Sequence, residues 1–270
     1  MKTIVSQSLI HDVKEYDAGQ KCGIILKTKF IDNQEIDDTS DSMALGQYFE
    51  YIFSGQKTKF GKIPLAEYTV AGLKKEPKDR TPADMYAPYK LAHENADRLK
   101  LLFKTMKWEI VEAGKRIEKD GLGGTLDLKV KGVIPRKIVT IDLKYSGLLD
   151  DRFNKFGWGL MKQDGTNLQK EFHAVQAKQY HHLDSDPFFF LVVSSKNNTG
   201  IELFQCEFDE FTIEQHVLVA NNIRERWDLL KEVGMNNFPR LQRCEECPLK
   251  TTCPDRERKI QPTLVNLKEE

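Results

Sequence analysis

The chain has 270 residues, of which 40% are hydrophobic and 30% charged, and 41 basic residues balance 41 acidic ones. This composition is typical of a globular protein, and the neutral net charge excludes a general electrostatic attraction to nucleic acid, so any such contact has to use local basic clusters. The longest apolar run, from Phe188 to Val193, is too short to span a bilayer, and charged residues follow Met1–Ile10 at once. We therefore expect no membrane segment, no signal peptide and a cytoplasmic location.

The N-terminal part is predicted to be mainly helical. Ser40-Asp41-Ser42 offers capping residues to an apolar-periodic run that ends at Gly55, which is typical of a helix with a glycine stop. A second, longer helix is predicted over Asp84–Met106, and the prolines of Gln56–Pro82 mark the stretch between the two helices as irregular.

After this helical part the hydrophobic period changes from that of helices to that of strands. Five strands and two further helices then follow, with a loop predicted over Asp150–Asn167. We expect an α/β fold in which helices flank a mixed central sheet, built as one domain with a helical part (1–106), a core (107–233) and a tail (234–270). The predicted elements of the core are Trp108–Ile117, Gly124–Val130, Ile138–Tyr145, helix Lys170–Leu183, Phe188–Ser195, Ile201–Phe208 and helix Glu210–Val233.

Three charged residues on neighbouring predicted strands carry the strongest chemical signal. Asp142 and Lys144 are two positions apart, so their side chains point to one face of the strand, and Asp127 alternates in the same way between Leu126 and Leu128. Two carboxylates can hold Mg²⁺ or Mn²⁺, and a lysine beside them can orient a water or neutralise a phosphate. The alternative is a strand with alternating solvated charges, which many sheets contain.

Two other segments could add to this site. Gln176 and Tyr180 lie four residues apart on a predicted helix and share a face, where they could bind a phosphate or hold the lysine, or could form an ordinary polar rim. Glu50, four residues after Gly46, could supply a further metal ligand or could be a solvated helical glutamate.

Three of the five cysteines, Cys244, Cys247 and Cys253, lie within ten residues near the C-terminus. A tetrahedral site needs a fourth ligand, for which Cys22 is the best candidate, since Cys206 occupies a strand position typical of a buried apolar residue. Four thiolates suit zinc or an iron–sulfur cluster, and the separation of one remote cysteine from three clustered ones favours a 4Fe–4S cluster.

In combination these motifs resemble the PD-(D/E)xK nuclease superfamily, specifically its RecB-like branch. The nearest pattern is that of CRISPR-associated and phage exonucleases and of the iron–sulfur nuclease domain of the AddB subunit. The ordered motifs run from Cys22 to Cys253. The resemblance implies a restriction-endonuclease-like core and a metal-dependent DNA exonuclease that acts on single-stranded or end-bearing DNA in recombination, repair or CRISPR and phage DNA processing, with possible protein partners in those processes.

The resemblance also implies a role for each motif. It makes Asp127 and Asp142 ligands of Mg²⁺ or Mn²⁺, Lys144 the catalytic lysine, and Gln176 with Tyr180 the Q-x-x-x-Y motif of the branch. It makes the four cysteines Cys22, Cys244, Cys247 and Cys253 ligands of a 4Fe–4S cluster that joins the N-terminal part to the tail. Two departures affect the metal site: Glu50 stands where the branch commonly has histidine, and Asp142 where many relatives have glutamate.

Local basic clusters could contact DNA. Lys129, Lys131, Arg136 and Lys137 flank the predicted metal strands, and the following segment interleaves cations with aromatic rings. We predict that Arg152, Lys155 and Trp158 bind single-stranded DNA, because bases stack on aromatic rings between cations. The alternative is a loop whose aromatic residues pack on the core.

Three other functions remain open from the residues alone. A structure-selective endonuclease could use the same site. A DNA-binding recombination subunit could carry an inactive one, although Asp127, Asp142 and Lys144 are all intact. A zinc-stabilised protein of unrelated function could use the same cysteines.

Overall fold

A computed structural model describes residues 3–34, 41–55, 82–149, 157–158, 171–197, 199–233 and 249. The chain divides into two compact units, one comprising Met1–His11 and Thr39–Leu229 and the other Asp12–Asp38 and Leu230–Glu270. The elements in chain order are β1 (Val5–Ser6), α1 (Gln7–Asp17), α2 (Gly23–Phe30), α3 (Asp41–Ser54), α4 (Pro82–Met106), β2 (Glu109–Lys119), β3 (Leu122–Lys131), β4 (Ile138–Ser146), α5 (Glu171–Leu183), β5 (Phe188–Ser194), β6 (Ile201–Cys206) and α6 (Glu210–Val233).

The first unit is built on a six-stranded sheet in the order β1-β3-β4-β5-β6, with β2 paired to β3. β2 and β3 form a hairpin whose turn residues, Asp120 and Gly121, both have positive φ, at 54° and 77°. Such two-residue turns match the twist of antiparallel strands. The β1–β3 and β4–β5 pairs are parallel and the β2–β3, β3–β4 and β5–β6 pairs antiparallel, so the sheet is mixed.

One edge of β3 pairs with two different strands, β1 and β4, which leave the middle of that edge unpaired. β2 follows β3 along one edge, from Lys131 to Leu122. The other edge pairs with β4 only from Leu128 to Lys131, and with β1 at Leu122 and Gly123. Residues 124–127 of β3 therefore face a gap between β4 and β1, and Asp127 lies at its border.

Helices cover both faces of this sheet. Residues of β5 alternate between two apolar clusters, with Phe189 and Leu191 in the cluster that includes α3 and α4, and with Phe188 and Phe190 in the one that includes Ala177 of α5. Every residue of β5 is buried, as expected for a strand covered on both sides. The prediction of a mixed central sheet flanked by helices is confirmed.

The predicted elements agree closely with the observed ones, with differences of one or two residues at most ends. The sequence pattern does not predict the strand β1 or the helices α1 and α2. Gln56–Pro82 and Asp150–Asn167 lie outside the described residues, apart from Pro82, Gly157 and Trp158. None of the helices, as far as the structure describes them, has the length and apolar composition needed to cross a membrane.

Candidate active site

The alternation of β3 and β4 places Asp127, Asp142 and Lys144 together on one face of the sheet. The neighbours of Asp142 on β4, Ile141 and Leu143, turn to the opposite face and enter the apolar cluster beneath α3 and α4. The Lys144 ammonium lies 2.5 Å from Oδ2 of Asp142, with side-chain exposures of 24% and 4%. An anionic side chain is thus held inside the protein by a cation that still reaches solvent.

Asp127 is tied to β4 through its side chain. Its Oδ2 accepts a hydrogen bond of 2.9 Å from the backbone amide of Leu143, just beyond the last regular pair of the two strands. Burial raises the pKa of Asp127 well above its usual range, and the nearby carboxylates of Asp142 and Glu50 raise it further. Burial also raises the pKa of Asp142, while Lys144 and a hydrogen bond with Asp127 oppose that shift.

Glu50 comes to the same cluster from helix α3. The preceding residue, Phe49, is fully buried and stacks on Tyr145 of β4 with ring centroids 4.4 Å apart, which fixes the helix against the strand that bears Lys144. Burial is the main reason that the pKa of Glu50 is raised to about 7. Lys144 opposes this shift, and the Asp142 carboxylate adds to it. Glu50 is half-buried, and its carboxyl lies close enough to Lys144 and Asp142 to interact with both.

Helix α5 supplies the two polar residues of the predicted motif. The Gln176 amide donates a hydrogen bond of 2.5 Å to Oδ1 of Asp142 and is 5% exposed. Burial raises the pKa of Tyr180, and the carboxylates of Asp142 and Asp127 raise it further. The phenol hence keeps its proton at neutral pH and can donate a hydrogen bond beside the cluster.

The cluster has the composition of a divalent-cation site. Three carboxylates, of which Asp142 is buried and Glu50 and Asp127 are half-buried, face one ammonium, and burial raises the pKa of each carboxyl. Oxygen donors are those that Mg²⁺ and Mn²⁺ prefer. The ligand atoms of Glu50, Asp127 and Asp142 do not all lie within 4.8 Å of one another, so the three cannot all bind one ion directly without side-chain movement. Asp127 and Asp142 are the pair that fits direct ligation, because Mg²⁺ is commonly held by one or two carboxylates and keeps several waters.

The residues predicted to contact DNA are placed differently. Arg152 and Lys155 lie outside the described residues. Trp158 is 2% exposed and packs against His173, Phe190 and Phe204, at centroid distances of 4.6, 5.2 and 5.7 Å. A base cannot stack on a ring enclosed in this way, so the predicted stacking role of Trp158 is wrong for this conformation, and core packing is what the structure shows.

Cys206 is a buried residue of β6, as the sequence predicts, with an exposed fraction of 6%. Burial raises the pKa of its thiol to about 12. In the second unit, half-buried Cys22 is the N-cap of α2. Its segment is fixed by the buried Asp12 carboxylate, which pairs with Lys21 and, at 2.7 Å, with Lys29. Cys244, Cys247 and Cys253 lie outside the described residues.

Two buried amides that the sequence reading missed brace the elements around the site. Gln179 of α5 donates to the carbonyls of Val5 and Gly123, at 3.0 and 2.8 Å. Asn95 of α4 donates to the carbonyl of Ser194 at 2.9 Å and contacts the Tyr145 hydroxyl at 3.3 Å. Gln179 could have been found, because it lies three residues after Gln176 and so shares its helical face, but nothing local marks Asn95.

Comparisons with known proteins show the fold and little more. No family model matches the chain. No curated protein matches it either. A crystal structure of a putative exonuclease from Eubacterium rectale matches with a TM-score of 0.50 and 18% identity, over 98% of this chain and 91% of that one. A second solved structure, SSO0001, has a TM-score of 0.31 and 16% identity, over 86% of this chain and 95% of that one. At such identity the first likeness shows a shared fold.

Proposed function

We propose that the protein is a metal-dependent DNA exonuclease that hydrolyses phosphodiester bonds in DNA with single strands or free ends. The observation that carries the proposal is the convergence of Glu50, Asp127, Asp142 and Lys144 in one partly buried cluster, whose carboxyl groups have raised pKa values. Perturbed carboxyl groups beside a lysine are the groups that a cation-assisted phosphoryl reaction needs. The shared fold with the Eubacterium rectale protein is consistent with this function.

Asp127 and Asp142 would hold the cation, and Glu50 would bind one of its waters or a second ion. Each oxygen of Asp142 already has one partner, Lys144 or Gln176, but a carboxylate oxygen has two lone pairs and can accept a further ligand. When bound, Mg²⁺ or Mn²⁺ supplies charge to the phosphate and lowers the pKa of a coordinated water.

The other residues would act directly on the substrate or on the ligands. Lys144 keeps its proton, because Asp142 and Asp127 outweigh the effect of burial and raise its pKa, so it can donate to a phosphate oxygen or orient the attacking water. Tyr180, which also keeps its proton, can donate to the phosphate, and Gln176 holds Asp142 in place.

The direct test is incubation of end-labelled linear DNA with Mg²⁺ or Mn²⁺, with the wild type beside Lys144→Ala. We expect digestion by the wild type and none by the variant, while Lys104→Ala, which removes an exposed lysine of α4, should digest normally. Loss of a preorganised cationic donor typically reduces the rate by about 10²–10³-fold. Digestion that persists in Lys144→Ala would reject this site. Cleavage of closed circular DNA would identify an endonuclease.

We also propose that Cys22, Cys244, Cys247 and Cys253 bind a 4Fe–4S cluster. One observation supports it: Cys22 is the N-cap residue of α2, where a thiolate is favoured by the helix amides. Zinc is the alternative ligand for the same thiolates.

Because metal binding contributes folding free energy, Cys247→Ala should lose iron, sulfide and thermal stability together. Cys206→Ala is the matched control, since Cys206 is buried in the sheet of the first unit and should not affect iron content. Full iron content with unchanged melting in Cys247→Ala would contradict the proposal. If the purified wild type is colourless and contains zinc, the four cysteines bind zinc and not an iron–sulfur cluster.

Arg152 and Lys155 remain proposed contacts to the DNA backbone. Replacing both by alanine should weaken binding of single-stranded DNA and reduce the slope of log affinity against log salt by about 0.7 for each lost phosphate contact. An unchanged slope would show that neither residue neutralises a phosphate.

A further inference from the structure

Helix α5 is attached to β3 at two consecutive glycines, Gly123 and Gly124. The amide of Gln179, which is 1% exposed, donates to the Gly123 carbonyl at 2.8 Å and to the Val5 carbonyl at 3.0 Å. The ring of Tyr180, the next residue on the helix, occupies the space into which a side chain at position 124 would extend. One turn of α5 is thereby fixed to the strand three residues before Asp127.

The need for glycine at position 124 is steric. Gly124 has no positive φ, so any residue could adopt its backbone conformation. An added Cβ, however, would overlap Cε1 of Tyr180 and would come within 3.3 Å of Cδ1 of Leu183. The Tyr180 ring also stacks on buried Phe188, with centroids 5.9 Å apart and planes at 25°, so it has little room to turn away. Glycine within a strand is otherwise unfavourable, and here it permits a close approach.

Gln176 lies one helical turn before Tyr180 on the same face of α5. Its amide reaches Oδ1 of Asp142 at 2.5 Å, so the distance of α5 from β3 decides whether this hydrogen bond forms. A side chain at position 124 would push the ring and the helix outward and would withdraw Gln176 from Asp142.

We propose that Gly124 is a positioning residue: through the Tyr180 ring and α5, it holds Gln176 against Asp142 and so sets the geometry of the cation site. The inference rests on the proposed function only in taking Asp142 as a cation ligand. Partners that orient ligands typically contribute about 10–100-fold to metal affinity.

The test is a double-mutant cycle on Mn²⁺ affinity, measured by electron paramagnetic resonance, with Gly124→Ala, Tyr180→Ala and the double variant. Gly124→Ala should bind Mn²⁺ about tenfold more weakly than the wild type. In the Tyr180→Ala background the same substitution should cause no further loss, because the ring that it would strike is gone. If Gly124→Ala alone fails to fold, the double variant should fold and match Tyr180→Ala in Mn²⁺ affinity.

Gly46→Ala is the matched control, because an added Cβ there meets no described atom within 4 Å. Its Mn²⁺ affinity should equal that of the wild type. An equal loss from Gly124→Ala in both backgrounds, no loss in either, or a double variant that does not fold would overturn the inference. A wild type that binds Mn²⁺ but digests no DNA would reject the nuclease proposal alone. A wild type without Mn²⁺ binding would reject both.

Discussion

Two clusters of acidic residues, each around one lysine, lie at the same face of β3 and β4. They differ in the balance of negative and positive charge. One is the candidate site, with Glu50, Asp127, Asp142 and Lys144. The other surrounds Lys129, which is two residues after Asp127 and pairs with Asp184 at 2.8 Å and Asp186 at 2.7 Å.

In the second cluster each charged side chain has a partner of opposite charge. Lys129 contacts both carboxylates, and the buried Thr140 hydroxyl, from the residue opposite Lys129 on β4, donates to Asp184. Burial would lower the pKa of Lys129, but the two aspartates outweigh it and raise the pKa. This lysine is therefore engaged within the protein, although the sequence placed it among cations that could meet DNA.

The candidate site holds a larger excess of negative charge. Its three carboxylates share one ammonium, and burial raises the pKa of each carboxyl group. The same residue types thus form two different clusters. The cluster around Lys129 pairs its charges within the protein, whereas the candidate site is an anionic cluster that favours a cation. Similar composition does not imply similar function, since the excess of buried negative charge distinguishes the two.

The largest expected difference is in catalysis. Asp142→Asn should reduce DNA digestion by at least about 10²-fold, because it removes charge from a proposed cation ligand. Asp184→Asn removes a carboxylate of the same size from the Lys129 cluster and should leave kcat on linear DNA unchanged. The measurement is digestion of end-labelled DNA at saturating Mg²⁺. Equal losses of DNA digestion in the two variants would contradict the assignment of different roles to the two clusters.

The next difference is in the sign of a stability change. In EDTA at pH 8, above the raised pKa of about 7, Glu50→Gln should stabilise the fold by about 1–3 kcal/mol, because it removes a half-buried negative charge that lies near Asp142. The charge of Glu50 disfavours folding increasingly as pH rises from its unfolded pKa through about 7, so the gain should shrink at pH 5. Lys129→Met should destabilise by about 1–3 kcal/mol, because it leaves two aspartates without their cation. Urea unfolding at both pH values measures these changes, and a loss of stability in Glu50→Gln at pH 8 would contradict the argument.

The sequence predicted most of what this comparison uses. Alternation placed Asp127 beside Asp142 and Lys144, since the period of a strand needs only local information. The capping residues and Gly55, with a φ of 69°, marked the helix that carries Glu50. Strand β1 has two residues and gives no periodic signal, and it pairs with residues more than a hundred positions away.

What could not be predicted depends on contacts between distant residues. The partners of Lys129 follow it by more than fifty residues, and a basic residue in an alternating strand looks the same whether it is paired or exposed. Trp158 was ambiguous for the same reason, because its ring packs against Phe190, Phe204 and His173, which lie elsewhere in the chain. Glycine at position 124 was visible, but its reason, a ring 56 residues later, was not.

The smallest expected effect isolates one hydrogen bond of the Lys129 cluster. Thr140 is 1% exposed, and its hydroxyl donates to Asp184, so Thr140→Val removes the donor while keeping the branched shape. The fold should lose about 1 kcal/mol, the usual contribution of one such bond, and DNA digestion should not change. In an Asp184→Asn background the loss should become smaller, since the acceptor is no longer charged. If Thr140→Val instead lowered Mn²⁺ affinity or kcat, the two clusters would be coupled along β4, and the separation of the Lys129 cluster from the candidate active site would have to be abandoned.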